Sequence, residues 1–79
     1  MIGRIVCSKA GRDKGSFLVV VKRENNYLYV CDGKERPLEQ PKRKNIKHLS
    51  LTNTVLTEEE FKTNKALRKA LAIYRDNAR

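Results

Sequence analysis

Phe17-Leu18-Val19-Val20-Val21 constrains the fold more than any other stretch of this chain. Five consecutive apolar residues, four of them aliphatic and three β-branched, are too few for an independent helix and are bounded by turn-forming residues on the N-terminal side. Such a run fits a strand covered on both faces, as a bent strand of a small barrel is. It must also serve as the spine of the only core available, since a chain of 79 residues buries about 60–65% of its unfolded surface and supports one domain.

Strands are expected on either side of that spine. Gly3-Arg4-Ile5-Val6-Cys7-Ser8 is a short β-branched segment, and Lys9-Ala10-Gly11-Arg12-Asp13-Lys14-Gly15 after it has the composition of a turn. Asn25-Asn26 supplies a hairpin turn tolerant of positive φ, and Tyr27-Leu28-Tyr29-Val30-Cys31 follows as a third strand ending at Asp32-Gly33. Pro37 and Pro41 bracket Leu38-Glu39-Gln40, which is limited to an edge strand or an extended connection. Ile46, Leu49 and Leu51 mark a last short strand, Asn45 to Leu51, with room for a bulge. Five short strands with short loops suggest a small closed barrel over residues 1–53, an architecture that removes exposed sheet edges.

Residues 54–79 change character. Thr57-Glu58-Glu59-Glu60 is a capping box, and Leu56 with Phe61 makes a hydrophobic staple around it, so helix is expected from Thr57 onward. At 100° per residue, Ala66, Leu67, Ala70, Leu71, Ile73, Tyr74 and Ala78 share one arc, with Lys62, Lys65, Arg68, Lys69 and Arg75 on the other. The apolar arc should dock on the barrel, giving a single domain, because an isolated helix of this length is marginal.

Eighteen Lys and Arg against nine Asp and Glu leave a net charge of +9, which favours a polyanionic partner. The excess is concentrated: residues 1–50 carry twelve basic and five acidic side chains, residues 51–79 six and four. In the first loop, Gly11 and Gly15 allow a close backbone approach while Lys9, Arg12 and Lys14 stand beside them as phosphate partners. An ordinary glycine turn with solvated cations is the alternative. A nucleotide-hydrolase phosphate loop is excluded, because three residues rather than four separate the glycines and a β-run follows instead of a helix. Lys42-Arg43-Lys44 with Lys47 is the densest basic run, and it follows a proline that favours extended backbone. Lys34 and Arg36 extend that face, partly offset by Glu35 and Glu39. Tyr27 and Tyr29 share a strand face, where core packing is the expected use and base stacking the alternative.

No catalytic constellation emerges. His48 is the single histidine and reads as a structural hydrogen-bonding residue; Cys7 and Cys31, 24 positions apart in apolar runs, read as small core thiols rather than a disulfide or metal pair. The expectation is therefore no enzyme, no metal and no cofactor. No apolar stretch approaches the roughly 20 residues of a membrane span, and the N-terminus lacks a signal-peptide layout, so no membrane partner and a cytoplasmic location are expected.

Gly3 to Gly15 resembles the KOW motif, in which a strand leads into a loop with a central glycine, here Gly11, and a Lys-Gly pair, here Lys14-Gly15. Ser16-Phe17-Leu18 stands where many KOW motifs carry a further glycine. Asp32-Gly33, the run from Pro41 to Leu49, and an acidic helix start followed by basic residues extend the likeness over nearly the whole chain, which is similar to the fourteen-e family of large-subunit ribosomal proteins and to short bacterial KOW-domain proteins. That resemblance implies an SH3-like five-stranded barrel binding ribosomal RNA, or a ribosomal subunit, through Lys9, Gly11, Arg12, Lys14, Gly15, Lys42, Arg43, Lys44 and Lys47. The chain then acts in translation as a ribonucleoprotein component or visiting factor, monomeric when free. A protein-interaction module acting on a translation or transcription factor is the rival reading, since fold alone does not choose the ligand.

Overall fold

In the computed structural model, which describes residues 1–77, the apolar runs form an antiparallel sheet of five strands followed by one α-helix. The strands are β1 (Arg4–Ser8), β2 (Phe17–Glu24), β3 (Tyr27–Cys31), β4 (Lys42–Asn45) and β5 (Leu49–Val55), in the order β4-β3-β2-β1-β5. The helix, α1, spans Asn64–Asn77. The ladder is not closed: β4 and β5 are its two edges and do not pair with each other.

The spine strand is covered on both faces. Val19, with Ile5, Cys31 and Leu56, packs under Leu67 and Leu71 of α1, and Phe17, Val21, Phe61, Ala70 and Tyr74 border this layer. Leu18 and Val20 point the other way, into a second cluster with Val6, Leu28, Val30 and Leu49. A run with no polar alternation thus feeds two apolar layers at once. Burying Leu67 and Leu71 against the sheet contributes about 2 kcal/mol each, which holds a helix that would not persist alone. The β-unit and the helix share one core, and β5 runs to Val55, beyond the expected boundary at residue 53.

Asn25 takes φ 54°, as the hairpin turn between β2 and β3 requires. The fourth strand lies elsewhere than expected. The Pro37–Gln40 stretch is a turn, closed by Gln40 N–H donating to Pro37 O at 2.9 Å, and the strand is the basic run itself, Lys42–Asn45 paired with β3. Ile46–His48 is not strand but one 3-10 turn, because the Asn45 side chain accepts from Lys47 N at 3.1 Å and curls the backbone before β5 begins. A bulge is present, but beyond the expected Asn45–Leu51 segment: it lies between Arg4–Val55 and Val6–Leu51, where β5 carries the extra residues and Thr52 Oγ1 donates to Ile5 O at 2.7 Å.

Helix starts later than its capping box suggests. Glu60 accepts from Thr57 N at 2.9 Å as expected, but the turn it closes is a short 3-10 helix, Glu58–Phe61. A separate cap opens α1: Thr63 Oγ1 accepts from Ala66 N at 3.1 Å. The break lets Phe61 reach Gly3 while Leu67 and Leu71 still face the sheet. Of the expected apolar arc, Ile73 is 52% exposed, and Ala78 lies outside the described residues.

Candidate nucleic-acid interface

Consecutive strand residues point to opposite faces, so Lys42-Arg43-Lys44 cannot present three cations to one ligand. Lys44 stands opposite Leu28, on the inner face, and is 7% exposed. Its ammonium has three protons and three partners: Ser8 Oγ at 2.6 Å, Asp13 Oδ1 at 2.7 Å and Ala10 O at 3.0 Å. The Ser8 hydroxyl accepts from Lys44, and its own proton faces Asp13 Oδ1 at 2.8 Å and Ala10 O at 2.9 Å. Lys44 is therefore the strut that ties the β1–β2 loop to β4. Burial by itself pushes the Asp13 carboxyl up, but hydrogen bonds from Lys44 and Ser8, with the charges of Lys44 and Lys42, outweigh it and hold it below the ordinary carboxylate value.

Around this strut further cations gather: Arg43 on the outward face of β4, and Lys42, half-buried, on the same face as Lys44. A shallow depression is lined by Ala10 and Gly11 of the loop, Tyr27 of β3, Lys42, Arg43 and Asn45 of β4, and Lys47 and His48 of the 3-10 turn. The Lys9 amide donates to His48 O at 2.8 Å and closes loop against turn. Tyr27 corrects the expectation of core packing: it joins neither apolar cluster, is 37% exposed, and carries the Arg43 guanidinium 4.6 Å from its ring centroid. Tyr29 on the same face is half-buried, with Lys22 Nζ at 5.2 Å. The helix covers only the far end of this sheet face, which leaves both rings outside the core.

The structure brings Gly11, Lys42, Arg43, Lys44 and Lys47 to this depression, Lys44 lining it while its ammonium is taken up by the loop. Arg12 lies in an adjoining depression that shares Lys42, while Lys9, Lys14 and Gly15 stand exposed on the loop. Among the described residues, ion pairs join Lys22 to Glu24, Lys44 to Asp13 and Lys62 to Glu59, so Lys9, Arg12, Lys14, Lys42, Arg43 and Lys47 carry charge without a carboxylate partner. Gly11 and Gly15 take φ +84° and +88°, but the Gly15 amide already donates to Ser8 O at 2.8 Å and is not spare for a ligand. Sequence reasoning missed Ser8 and Asp13 as the partners that remove Lys44 from the surface. The period-2 rule applied to Lys42-Arg43-Lys44 as a strand signals that the three cannot share a face, but not which of them turns inward.

Cys7 and Cys31 are both free, Cys31 fully buried and Cys7 half-buried. Burial, with Asp32 and Glu39 nearby, pushes the Cys31 thiol up to about 11. In folded protein near neutral pH, a thiol reagent is expected to modify Cys7 and to reach Cys31 only on unfolding; mass spectrometry of the labelled protein checks this. Equal labelling of both in the native state would contradict the packing. Among the described residues no three His, Cys, Asp or Glu side chains are placed to hold a metal ion, and no helix is long and apolar enough to cross a membrane. Comparison of the chain with protein-family models and with curated proteins finds no match to either.

Proposed function

We propose that the protein binds structured RNA without enzymatic activity, in the cytoplasm, through the β1–β2 loop and β4, and that ribosomal RNA or a ribosomal subunit is its target. The reading is carried by one observation: Lys42 and Arg43 of β4 and Lys47 of the 3-10 turn, none of them in an ion pair among the described residues, meet beside the first loop and an exposed tyrosine ring, with Arg12 in the adjoining depression. Phosphates pair with Arg12, Lys42, Arg43 and Lys47, releasing condensed counterions, and Tyr27 offers a face to an unstacked base. Lys44 acts beneath them by holding the loop. The KOW likeness of Gly3 to Gly15 and a five-strand antiparallel order whose second strand is buried on both faces support the finer reading of a curled, SH3-like barrel.

The test is a salt titration of binding to ribosomal subunits, purified ribosomal RNA and competitor tRNA. Arg12→Ala/Arg43→Ala/Lys47→Ala is expected to lose on the order of tenfold or more in affinity near 0.1 M salt and to flatten the slope of log K against log salt by roughly 2 to 3. Tyr27→Ala removes one stacking face, worth about 1–3 kcal/mol, and should leave the salt slope unchanged. Weak wild-type binding, equal for all polyanions, would sink the RNA reading. The protein-interaction reading is favoured by Leu51 and Val55, exposed on the uncharged edge strand β5; it predicts a partner retained after nuclease treatment.

A further inference from the structure

The helix carries cations that the RNA face described above does not use. Arg68 and Arg75 lie seven residues apart, about two turns, and flank the docked Leu71 on the side facing the β1–β2 loop. Together with Lys34 they line a cleft whose opposite wall is Gly15, Ser16 and Phe17. The Arg68 guanidinium is fixed there, since its Nη1 donates to Gly33 O at 2.9 Å, and its other N–H groups remain available. None of Lys34, Arg68 and Arg75 forms an ion pair among the described residues. The one carboxylate in the cleft, Asp32, is engaged by the turn: its Oδ1 accepts from Lys34 N at 2.8 Å and Arg36 N at 2.9 Å.

We propose that this cleft is a second phosphate-binding subsite, which takes the backbone of the same nucleic-acid strand that contacts the Tyr27 depression. The proposal rests on the RNA reading and extends it around the molecule. Continuity supports it. The helix cleft shares Ser16 and Asp32 with the neighbouring depression, and that depression shares Lys42 with the one at Tyr27. The middle stretch sets Asp13, Asp32 and Glu35 beside Arg12, Arg36 and Lys42, so there the strand meets acceptors for ribose hydroxyls or base amino groups as well as phosphate partners. At the bend, Gly15 has φ +88° and nothing within 4 Å of where a Cβ would stand, which leaves the path open.

The experiment compares Lys34→Gln/Arg68→Gln/Arg75→Gln with wild type on a short RNA of about 4 nucleotides and a longer one of about 16, across a salt series. Glutamine keeps most of the side-chain length, and Lys34→Glu/Arg75→Glu, which spares the Arg68 contact with Gly33, serves if the triple variant does not fold. For the longer RNA, the triple variant is expected to lose on the order of tenfold in affinity near 0.1 M salt and to flatten the slope by about 2, three cations at roughly 0.7 each. Binding of the short RNA, which spans only the Tyr27 depression, should not change. An unchanged slope for the longer RNA, or equal losses for both lengths, overturns the second subsite. If wild-type binding still depends on Arg43 and Lys47, only this inference falls; if wild type binds no RNA, the proposed function falls with it.

Discussion

Lys44→Met is expected to cost the fold about 3 kcal/mol, although the exchange keeps the volume and the length of the side chain. Methionine leaves the Asp13 carboxylate and the Ser8 hydroxyl in a nearly closed site without the ammonium that served both. Removing one member of a buried ion pair is costly because the survivor stays desolvated, whereas removing both is far milder. Lys44→Met/Asp13→Asn should therefore be more stable than Lys44→Met alone, with a coupling of about 1–3 kcal/mol in a double-mutant cycle followed by urea denaturation. Additive losses would show that the pair does not act as a unit.

The same network fixes the sign of the acid response. Asp13 is held below its ordinary value in the folded state, so its contribution is complete above that value and is lost as pH falls through the folded value. Lys44→Met removes the largest influence that holds it down and leaves the Ser8 hydrogen bond and the Lys42 charge. The stability gap between wild type and variant should accordingly narrow in acid, and a gap that widens there would contradict the assignment. The loop is expected to loosen along with the strut, so the proposed RNA binding should also weaken in the variant at temperatures where it remains folded.

Gly33→Ala is expected to be comparably damaging, by about 3 kcal/mol, for a reason confined to one contact. Gly33 has φ +81°, and a Cβ there would stand 2.6 Å from Asn64 O and 3.1 Å from Arg68 Cγ. An L-residue pays roughly 1–2 kcal/mol for the left-handed conformation, and the overlap with helix backbone adds about as much again. Relief requires α1 to move off the sheet, which exposes Leu67 and Leu71. Gly15→Ala is the control, because its φ is +88° but no atom lies within 4 Å of the new methyl; it should cost only the conformational part. Equal losses at the two glycines by chemical denaturation would mean that the helix does not sit on Gly33 as described.

Much of the fold was legible because it is local. The spine of β2, the Asn25 turn, the Thr57–Glu60 capping box and the glycines of the first loop all rest on interactions within a few residues, which composition and spacing encode directly. The candidate site was legible in outline, since Gly11, Lys42, Arg43 and Lys47 do converge. Its interior was not. Lys44 and Arg43 are adjacent and both basic, yet one is buried and the other exposed, and what separates them is the pairing of β4 with β3, which sets Lys44 opposite Leu28 and Arg43 opposite Tyr29.

The start of α1 shows the same division. Asn64 accepts from Leu38 N at 2.8 Å and donates to Glu39 Oε1 at 2.7 Å, so a segment about 25 residues upstream helps anchor the helix at a place its own capping signal did not mark. The sequence by itself determined a basic, mainly β chain with a C-terminal helix, because hydrophobic period, turn chemistry and net charge are properties of neighbouring residues. Only the tertiary structure decided which lysine became a strut, that Tyr27 stayed outside the core, and that the helix cations meet the first loop. Those outcomes depend on strand register and on contacts between residues tens of positions apart, which no local pattern specifies.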